Sequence, residues 1–129
     1  MRESKAKKRV RADEIVTRLR NLYPDSKCSL NYKSAHELLV ATILSAQCTD
    51  HRVNIVTNDL FQKYRTPTDF AYCSVMDLAK DIHSCGYHNQ KAKNIQGSNL
   101  KIVEEHDGIV PGNLNKLVAL PGVGRKTAN

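Results

Sequence analysis

The tightest constraint on the fold is a run of seven residues, Leu38-Leu39-Val40-Ala41-Thr42-Ile43-Leu44, apolar on nearly every side. A helix of that kind does not sit on a surface; it belongs in the middle of a core. At about twelve residues it is too short to cross a bilayer. Ser34 opens it and Glu37 follows three positions later, the S-x-x-E pattern of a capping box. One central helix needs others around it, and 129 residues suffice for a single domain with a modest core.

The other segments also read as helices. Asp13 to Asn21 forms a short one with Ile15 and Leu19 on one face, ended by Pro24. Asp50 caps a second that reaches Tyr64, with Val53, Val56, Leu60 and Tyr64 facing inward. Thr66-Pro67-Thr68 breaks the chain, and a short helix follows from about Thr68. Ser74 caps the next, which turns Val75, Leu78, Ala79 and Ile82 inward and closes at Cys85-Gly86. Asn89 to Glu105 is a longer helix, stopped by Asp107-Gly108. Gly97 inside it costs roughly 1 kcal/mol relative to alanine and argues against an unbroken run. Asn113 caps a last complete helix carrying Leu114, Leu117 and Val118. No strand alternation and no internal repeat is present, so the expected class is all-α, an array of short helices.

Lysine and arginine total 20 against 13 acidic residues, a formal charge of +7, which favours a polyanionic partner such as nucleic acid. Arg2, Lys5, Lys7, Lys8, Arg9 and Arg11 crowd the start and read as a solvated, flexible tail. No apolar stretch has the length of a membrane span and no signal peptide is recognisable, which predicts an intracellular protein. Cys28, Cys48, Cys73 and Cys85 form no C-x-x-C pair and read as ordinary buried or half-buried thiols. His51, His83 and His106 lack metal spacing and read as surface residues, so no metal site is expected in this chain.

The chemistry concentrates in Leu120-Pro121-Gly122-Val123-Gly124-Arg125-Lys126-Thr127-Ala128-Asn129. Pro121 cannot continue the preceding helix. Gly122 and Gly124 permit backbone angles closed to other residues and let the main chain approach a ligand. A new helix starts near Arg125 or Lys126, and its free amides face the turn. Amides at a helix start bind anions, and on a duplex that anion is a phosphate, held without reading sequence.

This segment resembles the helix-hairpin-helix of endonuclease III-type DNA glycosylases. Leu44-Ser45-Ala46-Gln47-Cys48-Thr49-Asp50 resembles the family's LSAQ-T-D element, and Gly86-Tyr87-His88-Asn89-Gln90-Lys91-Ala92 its G-x-x-N-x-K-A loop. The likeness runs from about residue 11 to the last. It implies a six-helix barrel domain that binds double-stranded DNA carrying a damaged pyrimidine or abasic site. It also implies release of oxidised pyrimidines followed by strand cleavage at the abasic site. The lysine two residues past the second hairpin glycine attacks C1′ of the sugar in that family, and here this is Lys126. The resemblance places Gln47 in the duplex opposite an extruded nucleotide, with Tyr87 or His88 as the wedge from the other strand. Base extrusion requires such fillers, since unstacking costs a few kcal/mol. The expected DNA contacts are therefore Gln47, Thr49, Tyr87, His88, Asn89, Lys91, Gly122, Val123, Gly124, Arg125 and Thr127.

The family's catalytic aspartate and the four closely spaced cysteines of its [4Fe–4S] cluster have no counterpart in these residues, which predicts a truncated chain, inactive alone. Residues 1–27 are expected as a basic tail and N-terminal helix that packs on the cluster domain in the family. Residues 28–129 are expected as the DNA-binding domain. The protein is expected to be monomeric, and cytoplasmic with the nucleoid if bacterial. The competing function is a hairpin that holds DNA without chemistry. Lys126 favours the lyase, because adenine-specific relatives lack a lysine there.

Overall fold

The computed structural model describes residues 2–129, and over them the chain is all-helical. The elements are α1 (Lys5–Leu22), α2 (Ala35–Leu44), α3 (Asp50–Lys63), α4 (Pro67–Ala71), α5 (Val75–Asp81), a 3₁₀ turn (His83–Cys85), α6 (His88–Glu105), α7 (Leu114–Val118) and α8 (Arg125–Ala128).

The apolar run forms α2 and is the middle of the core, with Val40, Ala41 and Leu44 wholly excluded from solvent. Helix α6 lies against α2, α4, α5 and the 3₁₀ turn and buries Ala92, Ile95 and Ile102. Phe70 of α4, Leu78 of α5 and Val53 of α3 complete the interior. Two polar groups link α2 to α6 inside it. His36 Nε2 lies 2.6 Å from the Asn99 Oδ1, and Asn99 Nδ2 donates to the Ile95 carbonyl at 2.7 Å. That arrangement leaves the Asn99 oxygen as acceptor, so His36 carries its proton on Nε2. Its neighbour Phe70 meets the imidazole edge-on at 5.6 Å between centroids.

Several local expectations need correction. The basic run is not a tail: Lys5 to Arg11 are helical, because Lys, Arg and Ala are strong helix formers and Ser4 accepts from the Lys7 amide. Ion pairs Arg11–Glu3 (3.0 Å) and Arg18–Glu14 (2.6 Å) lie along this helix. Ser34 does cap α2, but Glu37 returns to the amide of Lys33 rather than to that of Ser34, so the box is shifted by one residue. Thr49, not Asp50, caps α3, and the Asp50 carboxylate instead accepts from the Ser29 hydroxyl. Helix α4 begins at Pro67 with a full capping box between Thr66 and Asp69. Helix α5 stops at Asp81, and the 3₁₀ turn fills the space before Gly86. Helix α6 runs unbroken through Gly97, where a Cβ would stand 3.2 Å from Pro121 Cγ, so the glycine lets the hairpin seat closely on α6. Cys28 is exposed rather than buried.

Candidate nucleic-acid interface

Three segments singled out by the sequence meet at one place. Gln47, Tyr87 and Gly122 line a cavity of about 250 Å³ together with Ile43, Ala46 and Asn94. The first two stand on turns with left-handed backbones, Gln47 at φ 52° and Tyr87 at φ 46°. Side chains other than glycine rarely adopt that conformation, and it costs about 1–2 kcal/mol each. Tyr87 is 69% exposed, so its ring is free to contact a partner. His88 begins α6 half-buried, with its ring 4.5 Å from that of His83, and Asn89 is exposed beside it.

The hairpin joins α7 to α8, and α8 also lies against α2. Leu120 and Val123 anchor the turn in the core. The Val123 amide donates to the Leu120 carbonyl at 3.1 Å, so that group is engaged within the turn. Gly122 sits at φ 76°, and an added Cβ would lie 2.6 Å from the Asn94 Cβ. Gly124 differs. Its backbone is ordinary, φ −87° and ψ 179°, and nothing lies within 4 Å of an added Cβ. Of the two hairpin glycines, only Gly122 uses a backbone angle closed to other residues. Among the described residues, the amides of Gly124, Arg125, Lys126 and Thr127 find no acceptor inside the chain. Arg125 and Lys126 are exposed at that end of α8, and Thr127 is half-buried.

Two further expected contacts, Thr49 and Lys91, have partners within the chain. Thr49 is occupied as the cap of α3, where its hydroxyl accepts from the Arg52 amide at 3.2 Å. Lys91 is 5% exposed, and its Nζ donates at 2.9 Å to the carbonyls of both Leu44 and Cys85. Two of the three ammonium donors are thus engaged within the chain. Asn94, which the sequence reading passed over, packs under Gly122, and its side chain accepts from Gln90 at 3.1 Å. Its signal was its spacing, seven residues after Tyr87 and so on the same face of α6. A larger open hollow of about 430 Å³ lies between the Leu30–Lys33 loop and α3, away from all these segments. There Asn54 ties the loop down through the Asn31 amide and the Ser29 carbonyl, each at 2.8 Å.

The family model described as HhH-GPD superfamily base excision DNA repair protein matches residues 40–127, from the apolar helix through the hairpin. The chain belongs to this family. Within the HhH-GPD superfamily it is similar to an Endonuclease III from Synechocystis sp., 55% identical over 124 residues, which covers 96% of this chain and 57% of that protein. Two solved structures share its fold at 43% identity and a TM-score of 0.82, covering 99% of this chain and 58% of theirs. One is a non-covalent Endonuclease III–DNA complex, the other a trapped Endonuclease III–DNA covalent intermediate. This chain thus spans a little over half the length of the relatives it matches.

Proposed function

We propose that this HhH-GPD chain supplies the DNA-gripping wall of a base-excision repair enzyme that removes oxidised pyrimidines and cleaves the resulting abasic site. The observation that carries the reading is the convergence of Gln47, Tyr87 and Gly122 on one cavity, beside a hairpin whose four successive amides lack an internal acceptor. The amides and Arg125 take phosphate oxygens and fix register, without sequence preference. Gln47 and the exposed Tyr87 fill the stack when a nucleotide is extruded, with His88 and Asn89 flanking them. Gly124 has no steric reason inside the chain to lack a side chain, which fits a backbone pressed against phosphate.

Lys126 is the nucleophile of the intact protein. Its neutral amine attacks C1′, the base departs, and the Schiff base formed with the opened sugar permits β-elimination of the 3′ phosphate. A carboxylate is needed beside it to stabilise the positive charge that develops on the sugar. The [4Fe–4S] cluster implied by the resemblance does not fit the residues present. Among the described residues no three metal-ligating side chains stand together, with Cys28 exposed and Cys85 buried. Residues 28–129 form the DNA-binding unit and residues 1–27 lie outside it. The partner is double-stranded DNA, bound by a monomer in the compartment that holds DNA.

The reading is tested by duplex binding with and without a non-cleavable abasic analogue. Affinity should fall steeply between about 50 and 200 mM salt, by roughly tenfold for every two phosphates contacted. It should also favour the abasic analogue over intact duplex. Salt-independent affinity, or equal affinity for both duplexes, would sink it.

A further inference from the structure

We propose that Lys91 is a positioning residue for DNA rather than a phosphate contact: its ammonium clamps two turns together so that Gln47 and Tyr87 face the same cavity. Leu44 is the last residue of α2 and Cys85 the last of the 3₁₀ turn. Carbonyls at helix ends lack intrahelical donors, and among the described residues no backbone amide reaches either of these two. Lys91 Nζ donates to both at 2.9 Å, from a side chain 5% exposed. One ammonium thereby closes two helix ends, where a positive charge meets the negative ends of the peptide dipoles.

The placement of those carbonyls is what links the clamp to function. Leu44 stands three residues before Gln47, and Cys85 two before Tyr87. Among the described residues only three non-glycine positions have positive φ, and Gln47 and Tyr87 are two of them. Strained turns persist only where their surroundings over-determine them, and here the surrounding contact is the Lys91 clamp. A buried ammonium with no carboxylate partner is a costly way to fill space, and among the described residues no ion pair involves Lys91. Lys91 itself also lines the cavity. The clamp therefore holds the two fillers apart at a fixed spacing before DNA arrives, so binding need not order them.

This inference rests on the DNA reading above, and its test has one arm independent of DNA. Amide hydrogen exchange is measured on the free protein for wild type, Lys91→Met and Lys91→Gln. Amides at 46–48 and 86–88 should exchange about tenfold faster in the variants, while α3 and α5 keep their protection. The second arm compares affinity for an abasic-analogue duplex with that for intact duplex. The variants should lose most of that preference, about tenfold, with the salt slope unchanged. A lysine that contacts phosphate would instead weaken both duplexes equally and reduce the slope by about one; that result overturns the proposal. So does unchanged exchange at both turns, or loss of the helical circular-dichroism signal in both variants, which would make Lys91 a general core residue. Wild type without preference for the abasic analogue would refute the functional reading, and the exchange arm would still decide the clamp.

Discussion

At Gly122 the main chain lies at φ 76° and the Asn94 side chain fills the space a Cβ would need, 2.6 Å away. Valine there meets both penalties, about 1–2 kcal/mol for the left-handed backbone and about 1–3 kcal/mol for overpacking. Gly122→Val should therefore lower thermal stability and DNA binding together. Gly124→Val meets neither obstacle, so its unfolding temperature should stay near wild type while duplex affinity drops at least tenfold, about 1.4 kcal/mol. Circular-dichroism melts and gel-shift titrations of both variants check this; equal loss of stability in the two would remove the phosphate role from Gly124. The motif L-P-G-V-G was legible in the sequence, but the division of labour between its glycines was not. It depends on Asn94, which is 28 positions earlier and reaches the turn only through the packing of α6.

Among the elements, α2 was the most legible, since an unbroken apolar run leaves a helix nowhere but the core. Ser34, Ser74 and Asn113 serve as caps because short polar side chains before a periodic run have a local acceptor role that tertiary contacts rarely displace. Thr49 and Asp50 show the limit: both can cap, and the choice is made by Ser29, 21 residues away, which engages the Asp50 carboxylate. The carbonyl partners of Lys91 were hidden for the same reason. A lysine in a loop motif looks like a phosphate ligand until the fold brings the Leu44 carbonyl, 47 residues back, within 2.9 Å. The α2–α6 junction carries a pH dependence. Burial pushes the His36 pKa below its ordinary value, against the Asn99 hydrogen bond and the nearby Glu37, which push it up. A depressed folded-state pKa means the unfolded chain takes up the proton first as pH falls. The stability from neutral His36 is thus present above the unfolded value of about 6.5 and is lost as pH drops from there through the folded value. Melting temperature should fall between pH 7.5 and 5.5, and His36→Gln should flatten that slope while retaining a donor to Asn99. Equal slopes in both proteins would assign the acid sensitivity elsewhere.

Across the whole molecule, the core begins at Leu30, and α1 buries no residue. Ile15, Val16, Leu19 and Leu22 recur on one side of α1 and are 43–70% exposed. Helices hold together chiefly by burying such a face, so α1 in this chain should exchange its amides orders of magnitude faster than α2 or α6. Protection of α1 equal to that of α6 would mean that its apolar side is covered in solution. The periodicity of Ile15 and Leu19 announced a helix, yet nothing local could say that these residues would find no partner among residues 2–129. Among the described residues no helix is long and apolar enough to cross a membrane. The measurement that bears most directly on the proposed chemistry is borohydride trapping on a duplex with a single abasic site, made on the intact protein. Wild type should form a covalent adduct, Lys126→Gln should form none, and the variant should still bind a non-cleavable abasic analogue within about tenfold of wild type. Arg125→Gln should weaken binding at least as much and still trap. An adduct formed at full yield by Lys126→Gln would place the nucleophile on another residue and contradict the account.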